Sequence, residues 1–307
     1  MNIAVYGAID LGLLVFLIGC LLRIREYART PYHLRWELYP VPHEAPQYAE
    51  HGGSYFESAE WWRKPQEQHH LPEWLAMLQE ILLLRSLWES NRRLWFSSFC
   101  LHLGLYLSIA AAILTVLAGV LPTNAAPPPI VAGVASSAVW VGVMGAVFIV
   151  DGAVLLLINR LRDPGLRNYT KPADIFNLLC FVLTFGLLIV GTLMSRPTAS
   201  TVDIVRGALR FDLSLSIQPW LGVGLICASA LTAYIPFTHM SHFIAKYFTW
   251  HEVRWDDRRM ERGGALERRM AANLQLRPTW SAKHMGADGR RSWADIATSD
   301  PRQEVRK

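Results

Sequence analysis

The stretch Ala233-Tyr-Ile-Pro-Phe-Thr-His-Met-Ser-His-Phe-Ile-Ala-Lys246 closes a long apolar run and carries two histidines, His239 and His242. A run of this kind reads as a membrane-spanning helix. Ionisable side chains at membrane depth are costly, so by default they mark a functional site. One other histidine, His102, stands in a comparable apolar setting. Working outward from these three residues, the chain reads as an all-α integral membrane bundle.

Composition points the same way. The 307 residues are 52% hydrophobic, include twelve tryptophans and have a mean hydropathy of +0.20, which is high for a soluble protein. The net charge of +5 comes mainly from basic residues in loops beside the apolar runs. That is the pattern of membrane orientation rather than of a nucleic-acid patch. All four cysteines, Cys20, Cys100, Cys180 and Cys227, lie inside apolar runs, with no CxxC or CxxCH among them. The expectation is no iron–sulfur cluster, structural zinc or covalently attached haem in this chain.

Five spans follow, at residues 4–22, Leu94–Leu121, Val134–Ile158, Ile175–Leu193 and Trp220–Ile244. The first lacks a basic leader region and a small-residue cleavage site, and Arg23, Arg25 and Arg29 follow it directly, so it reads as a retained helix. Lysine and arginine crowd the first and third connections and the tail. They are absent from the second connection, and the fourth carries Arg196, Arg206 and Arg210. This predicts a multi-pass protein of the cytoplasmic (inner) membrane with the N-terminus outside and the C-terminus inside. The membrane domain is 1–248, including a long cytoplasmic loop over 24–91, and 249–307 is a cytoplasmic tail for partner docking. Within the loop, Leu75, Leu78, Ile81 or Leu82, and Trp88 recur among charges, predicting an amphipathic helix from Pro72 to about Ser90. In the tail, Trp280–Arg290 and Trp293–Thr298 read as ordered, because exposed tryptophan near glycine turns usually packs on something.

Topology removes seven of the ten histidines. His33, His43, His51, His69, His70, His251 and His284 fall in loops or the tail and read as solvated or interface side chains. His102 lies roughly 12 Å from the inner end of span two, and His242 roughly 5–9 Å from the inner end of span five, at 1.5 Å per residue. Two imidazoles at matched depth on facing helices are what bis-histidine haem iron needs. Depth favours His242 as the second ligand and leaves His239 as an alternative ligand, a propionate partner or a proton donor near a quinone. Ser98, Gly104, Ser108 and Thr238 are expected to leave room beside the ring, and Arg92, Arg93 and Lys246 to contact propionates.

These residues, taken in order, resemble the membrane cytochrome b family of the respiratory nitrate reductase gamma subunit. The resemblance rests on Val15-Phe-Leu-Ile-Gly19 with Arg23, Phe99-Cys-Leu-His-Leu-Gly104, Gly152–Leu157 with Arg160 and Pro164…Arg167, Ala173-Asp-Ile175, and Pro236-Phe-Thr-His-Met-Ser-His242. In that family four histidines hold two b haems. The inner pair maps onto His102 and His242, whereas the outer pair falls on Ala112 and Gly224. The resemblance thus implies one haem b, on the inner side. The long first connection and the Trp280–Thr298 tail look more like the heterodisulfide-reductase-associated branch.

The implied role is an electron-transfer subunit without catalytic residues of its own. It would pass electrons between membrane quinone and a cytoplasmic iron–sulfur partner of the heterodisulfide-reductase type, with further membrane or periplasmic cytochrome subunits supplying any outer path. The rivals are a haem-free membrane anchor, with the histidines merely bridging helices, and a transporter. No inverted repeat or pair of broken helices at the midplane favours the transporter.

Overall fold

The fold is that of a computed structural model, in which residues 1–29, 41–51, 53–65, 69–121, 129–195, 199–256, 258–282 and 286–299 are described. His33, His284, Arg196 and the 122–128 connection lie outside them. In chain order the helices are α1 (Asn2–Arg29), α2 (Pro46–Ala49), α3 (His70–Leu83), α4 (Arg85–Ser90), α5 (Arg92–Val120), α6 (Pro129–Arg162), α7 (Pro164–Tyr169), α8 (Pro172–Leu193), α9 (Thr201–Arg210), α10 (Pro219–Tyr234), α11 (His242–Phe248), α12 (Ala265–Leu274) and α13 (Trp293–Thr298). The strands among the described residues are β1 (Ser281–Ala282) and β2 (Ala287–Asp288), paired antiparallel. The chain is all-α. Five helical stretches are long and apolar enough to cross a membrane: α1, α5, α6, α8 and Pro219–Phe237.

The described chain forms two compact units, Met1–Cys20 with Leu75–Met240, and Leu21–Trp74 with Ser241–Lys307. The second unit thus takes in most of the first connection together with the tail.

In the first unit, glycine sets the helix spacing. A β-carbon on Gly104 would lie 2.6 Å from the Gly145 carbonyl oxygen, one on Gly145 would lie 2.8 Å from Ser108 Oγ, and one on Gly152 would overlap the Leu101 backbone. These contacts make α5 and α6 an antiparallel pair with touching backbones, the small-residue seam that stands in for hydrophobic drive inside lipid. The same device joins α8 to α10, where Gly191 meets the Leu221 backbone, and α1 to α10, where Gly12 meets the Ser229 carbonyl. Leu101, Ile149, Ala153, Leu156, Leu178, Phe181 and Leu231 fill the core beside the α5–α6 seam. The outward sides stay apolar and uncovered, with Leu11, Leu14, Leu17, Ile18 and Leu21 all exposed along α1. Such a belt fits a bilayer and not water.

Helix α9 is amphipathic and closes the other end of this unit. Val5, Tyr6, Ile204, Ile217 and Leu221 pack together there, and Tyr6 Oη donates to the Asp212 carbonyl at 2.9 Å. Arg206 donates to the Ala118 carbonyl at 2.9 Å, satisfying a carbonyl that the end of α5 leaves unpaired. This structural task accounts for one arginine of the fourth connection, whose charges fitted the orientation pattern least well.

Two expectations change. The amphipathic stretch is two helices, α3 and α4, broken at Leu84, whose φ of 52° is left-handed. Trp95 Nε1 donates to the Leu83 carbonyl at 2.7 Å and the Tyr106 hydroxyl to that of Ile81, tying the end of α3 to α5. The fifth span does not reach Ile244. Pro236 lacks an N–H and its ring clashes with the helical carbonyl four residues back, so α10 gives way to a 3-10 turn at Ile235–Phe237 and to extended backbone at Thr238 (φ −125°, ψ 175°). His242 then opens the separate helix α11.

In the second unit, Trp255 is almost wholly buried, and the fully buried Ser54 donates its hydroxyl to Glu44. The tail carries α12, the β1–β2 pair and α13 among its described residues. Trp280 meets Trp293 edge-on at 5.8 Å, and Ser292 and Asp295 cap α13 reciprocally.

Candidate functional site

His102 projects from α5, which Asn91 initiates by accepting the Leu94 N–H at 3.0 Å. The imidazole is partly buried, and its Nδ1 lies 2.7 Å from the Ser98 carbonyl oxygen, one turn back. A carbonyl can only accept, so Nδ1 carries the proton and the lone pair belongs to Nε2. A hydrogen bond of this kind, from the ring nitrogen that does not bind the metal, is how ligating imidazoles are usually oriented. The residues expected to leave room beside a ring do not all do so. Gly104 is spent on the α6 backbone, and Ser108 Oγ abuts Gly145 in the same seam. Thr238 caps the 3-10 turn, donating to the Ile235 carbonyl at 3.0 Å and accepting from Met240 N at 3.2 Å.

His239 has a different setting. Its Nε2 lies 3.6 Å from Asp174 Oδ1, and Asp174 Oδ2 faces Arg160 at 3.6 Å while accepting from Lys171 N at 2.9 Å. Asp174 is 16% exposed, so this ion cluster is shielded at the acidic end, although His239 itself is 59% exposed. One turn along α8 from Asp174 lies Asn177, 4% exposed, with neither amide atom hydrogen-bonded among the described residues. A buried amide left unpaired is rare and calls for a partner. The sequence reading gave Arg160 and Asp174 no role and passed over Asn177. Asparagine inside an apolar run is the signal that marked it.

His242 is exposed at the start of α11 and belongs to the second unit, as does Lys246, whose Nζ stands 5.8 Å from the Trp250 ring centroid. The depth count for His242 assumed an unbroken fifth span and does not survive the break at Pro236. Arg92 and Arg93 are exposed on the first turn of α5, and the Arg92 guanidinium lies over Trp88 at 4.8 Å.

Two histidines read as solvated or interfacial are mostly buried. His43 is 5% exposed. His251 is 17% exposed, and its Nδ1 meets Glu73 Oε1 at 2.6 Å, while His70 meets the other Glu73 oxygen at 3.3 Å. The His251 ring lies against Tyr247 (4.6 Å) and Trp255 (5.5 Å), with Nε2 buried and unpaired among the described residues. It sits in a π-helical turn, Thr249–Arg254, an irregularity often found at functional positions. No local signal joins it to Glu73, which is far away in sequence.

Among the described residues no three His, Cys, Asp or Glu side chains cluster as a metal site. What the arrangement offers is a pre-oriented imidazole at His102, a carboxylate-held imidazole at His239 and a buried open amide at Asn177. Neither a family model nor a curated protein matches this chain.

Proposed function

We propose that the chain is the haem b membrane subunit of a redox complex, exchanging electrons between membrane quinone and a cytoplasmic iron–sulfur subunit of the heterodisulfide-reductase type. The observation that carries this reading is the Nδ1–H of His102 donating to Ser98, the kind of hydrogen bond that orients a ligating imidazole. A haem held there and by His242 supplies the one-electron chemistry, while the protein supplies orientation and dielectric. His242 is solvent-accessible and stands in the Pro236-Phe-Thr-His-Met-Ser-His242 stretch that carries the family resemblance. His239 stays with Asp174 as a neighbouring proton-exchanging group. Arg92, Arg93 and Lys246 are cationic partners for propionates, and the Asn177 amide is a further donor. Ala112 and Gly224 leave the opposite half without ligands, so one haem near the inner face is the assignment. An outer electron path then requires another membrane or periplasmic cytochrome subunit.

The test is the reduced-minus-oxidised spectrum of purified full-length chain and of three alanine variants. The reading expects a b-type band that disappears in His102→Ala and His242→Ala and persists in His239→Ala. No band in the parent chain, as a haem-free anchor would give, overturns it. Equal loss from all three variants overturns the ligand assignment.

A further inference from the structure

Two carboxyls in the membrane helices, Asp10 on α1 and Asp151 on α6, are left unexplained by the haem reading, and Asp151 stands farther from a helix end. Asp151 lies nine residues before Arg160 on α6, about 13 Å along the helix at 1.5 Å per residue, and so within the hydrocarbon region. It is exposed and makes no hydrogen bond or ion pair among the described residues, its one electrostatic neighbour being the Cys100 thiol on α5. A carboxyl facing acyl chains is among the costliest placements a span can carry. The helix around it is not short of buried positions, since Gly145, Ile149, Gly152 and Leu156 line the packed side. Asp151 stands on the opposite side, in a row with Trp140 (64% exposed), Met144 (52%), Val147 (42%) and Val154 (38%). The row's alternating steps of four and three are the spacing of a helix packed along another helix, with a polar residue at one core position.

We propose that this face of α6 docks a membrane-spanning helix of another subunit that presents a lysine, arginine or histidine to Asp151. Charge complementarity names the occupant. Lipid tails offer no donor, and a second copy of this chain is disfavoured. All copies insert in one orientation, so a symmetric pair would place two Asp151 carboxyls opposite each other at one depth, where like charges repel. The inference stands independently of haem and quinone.

The experiment places a photo-crosslinking benzoylphenylalanine at Val147 in the full chain, in its own host's membranes, and sequences the adduct peptide. The expected adduct is an apolar helix of another protein containing a basic residue. Its yield falls at least tenfold in Asp151→Leu and is retained in Asp151→Glu. Adducts only with lipid, only with a second copy, or unaffected by Asp151→Leu overturn the proposal. Expression and the b-type band, followed in the same variants, separate this result from failure of the haem reading.

Discussion

Gly152 lies so close to Leu101 that any β-carbon at position 152 would overlap the Leu101 backbone. Leu101 precedes His102, so this glycine sets how near α6 comes to the segment carrying the proposed ligand. Gly152→Val is expected to force the pair apart at a cost of about 2 kcal/mol, the usual scale of overpacking. Thermal unfolding of the detergent-solubilised chain measures it. Gly133, which has open space around it, is the control and should accept alanine with little change.

Asp174 holds both Arg160 and His239. Asp174→Ala removes the shared acceptor and should lower stability by about 1 kcal/mol, the smaller end for charged hydrogen bonds because His239 and Arg160 are partly solvated. If His239 is not a ligand, haem content stays at the parent value. A matching loss of haem would contradict its assignment as a neighbour.

In the second unit, Glu73 receives His251 and His70 from one carboxylate. Glu73→Ala leaves the mostly buried His251 without its partner and is expected to cost about 2 kcal/mol. Limited proteolysis reads this as faster cleavage between residues 241 and 282, with the membrane helices unaffected.

Asp295 is held below the usual carboxylate range by the Ser292 N–H and then the Ser292 hydroxyl. A depressed folded value contributes stability above the unfolded value of about 3.9 and loses it as pH falls through the folded value. Hydrogen exchange of α13, corrected for the intrinsic pH dependence of amide exchange, should therefore be flat from pH 7 down to about 4 and rise below it. Ser292→Ala should weaken α13 throughout and flatten that rise.

The spans were legible in the sequence because lipid demands uninterrupted apolar length, and α1, α5, α6 and α8 follow that demand closely. The end of the fifth was not. Its apolar run continues past Pro236, while the backbone follows proline stereochemistry and not hydropathy. His102 was legible as an ionisable group inside such a run. The burial of His251 was not, since its partner Glu73 comes from the first connection and only the fold of the second unit brings them together. Asp151 was visible in the sequence as a charge in an apolar helix, but its outward direction depends on which side of α6 carries the glycine seam.

The most direct test of the central claim is the haem content of the purified full-length chain, determined as pyridine haemochrome per polypeptide. One haem b per chain, lost when His102 is replaced by alanine, is the predicted result. Two haems per chain would contradict the single-haem assignment based on Ala112 and Gly224, and none would contradict the account as a whole.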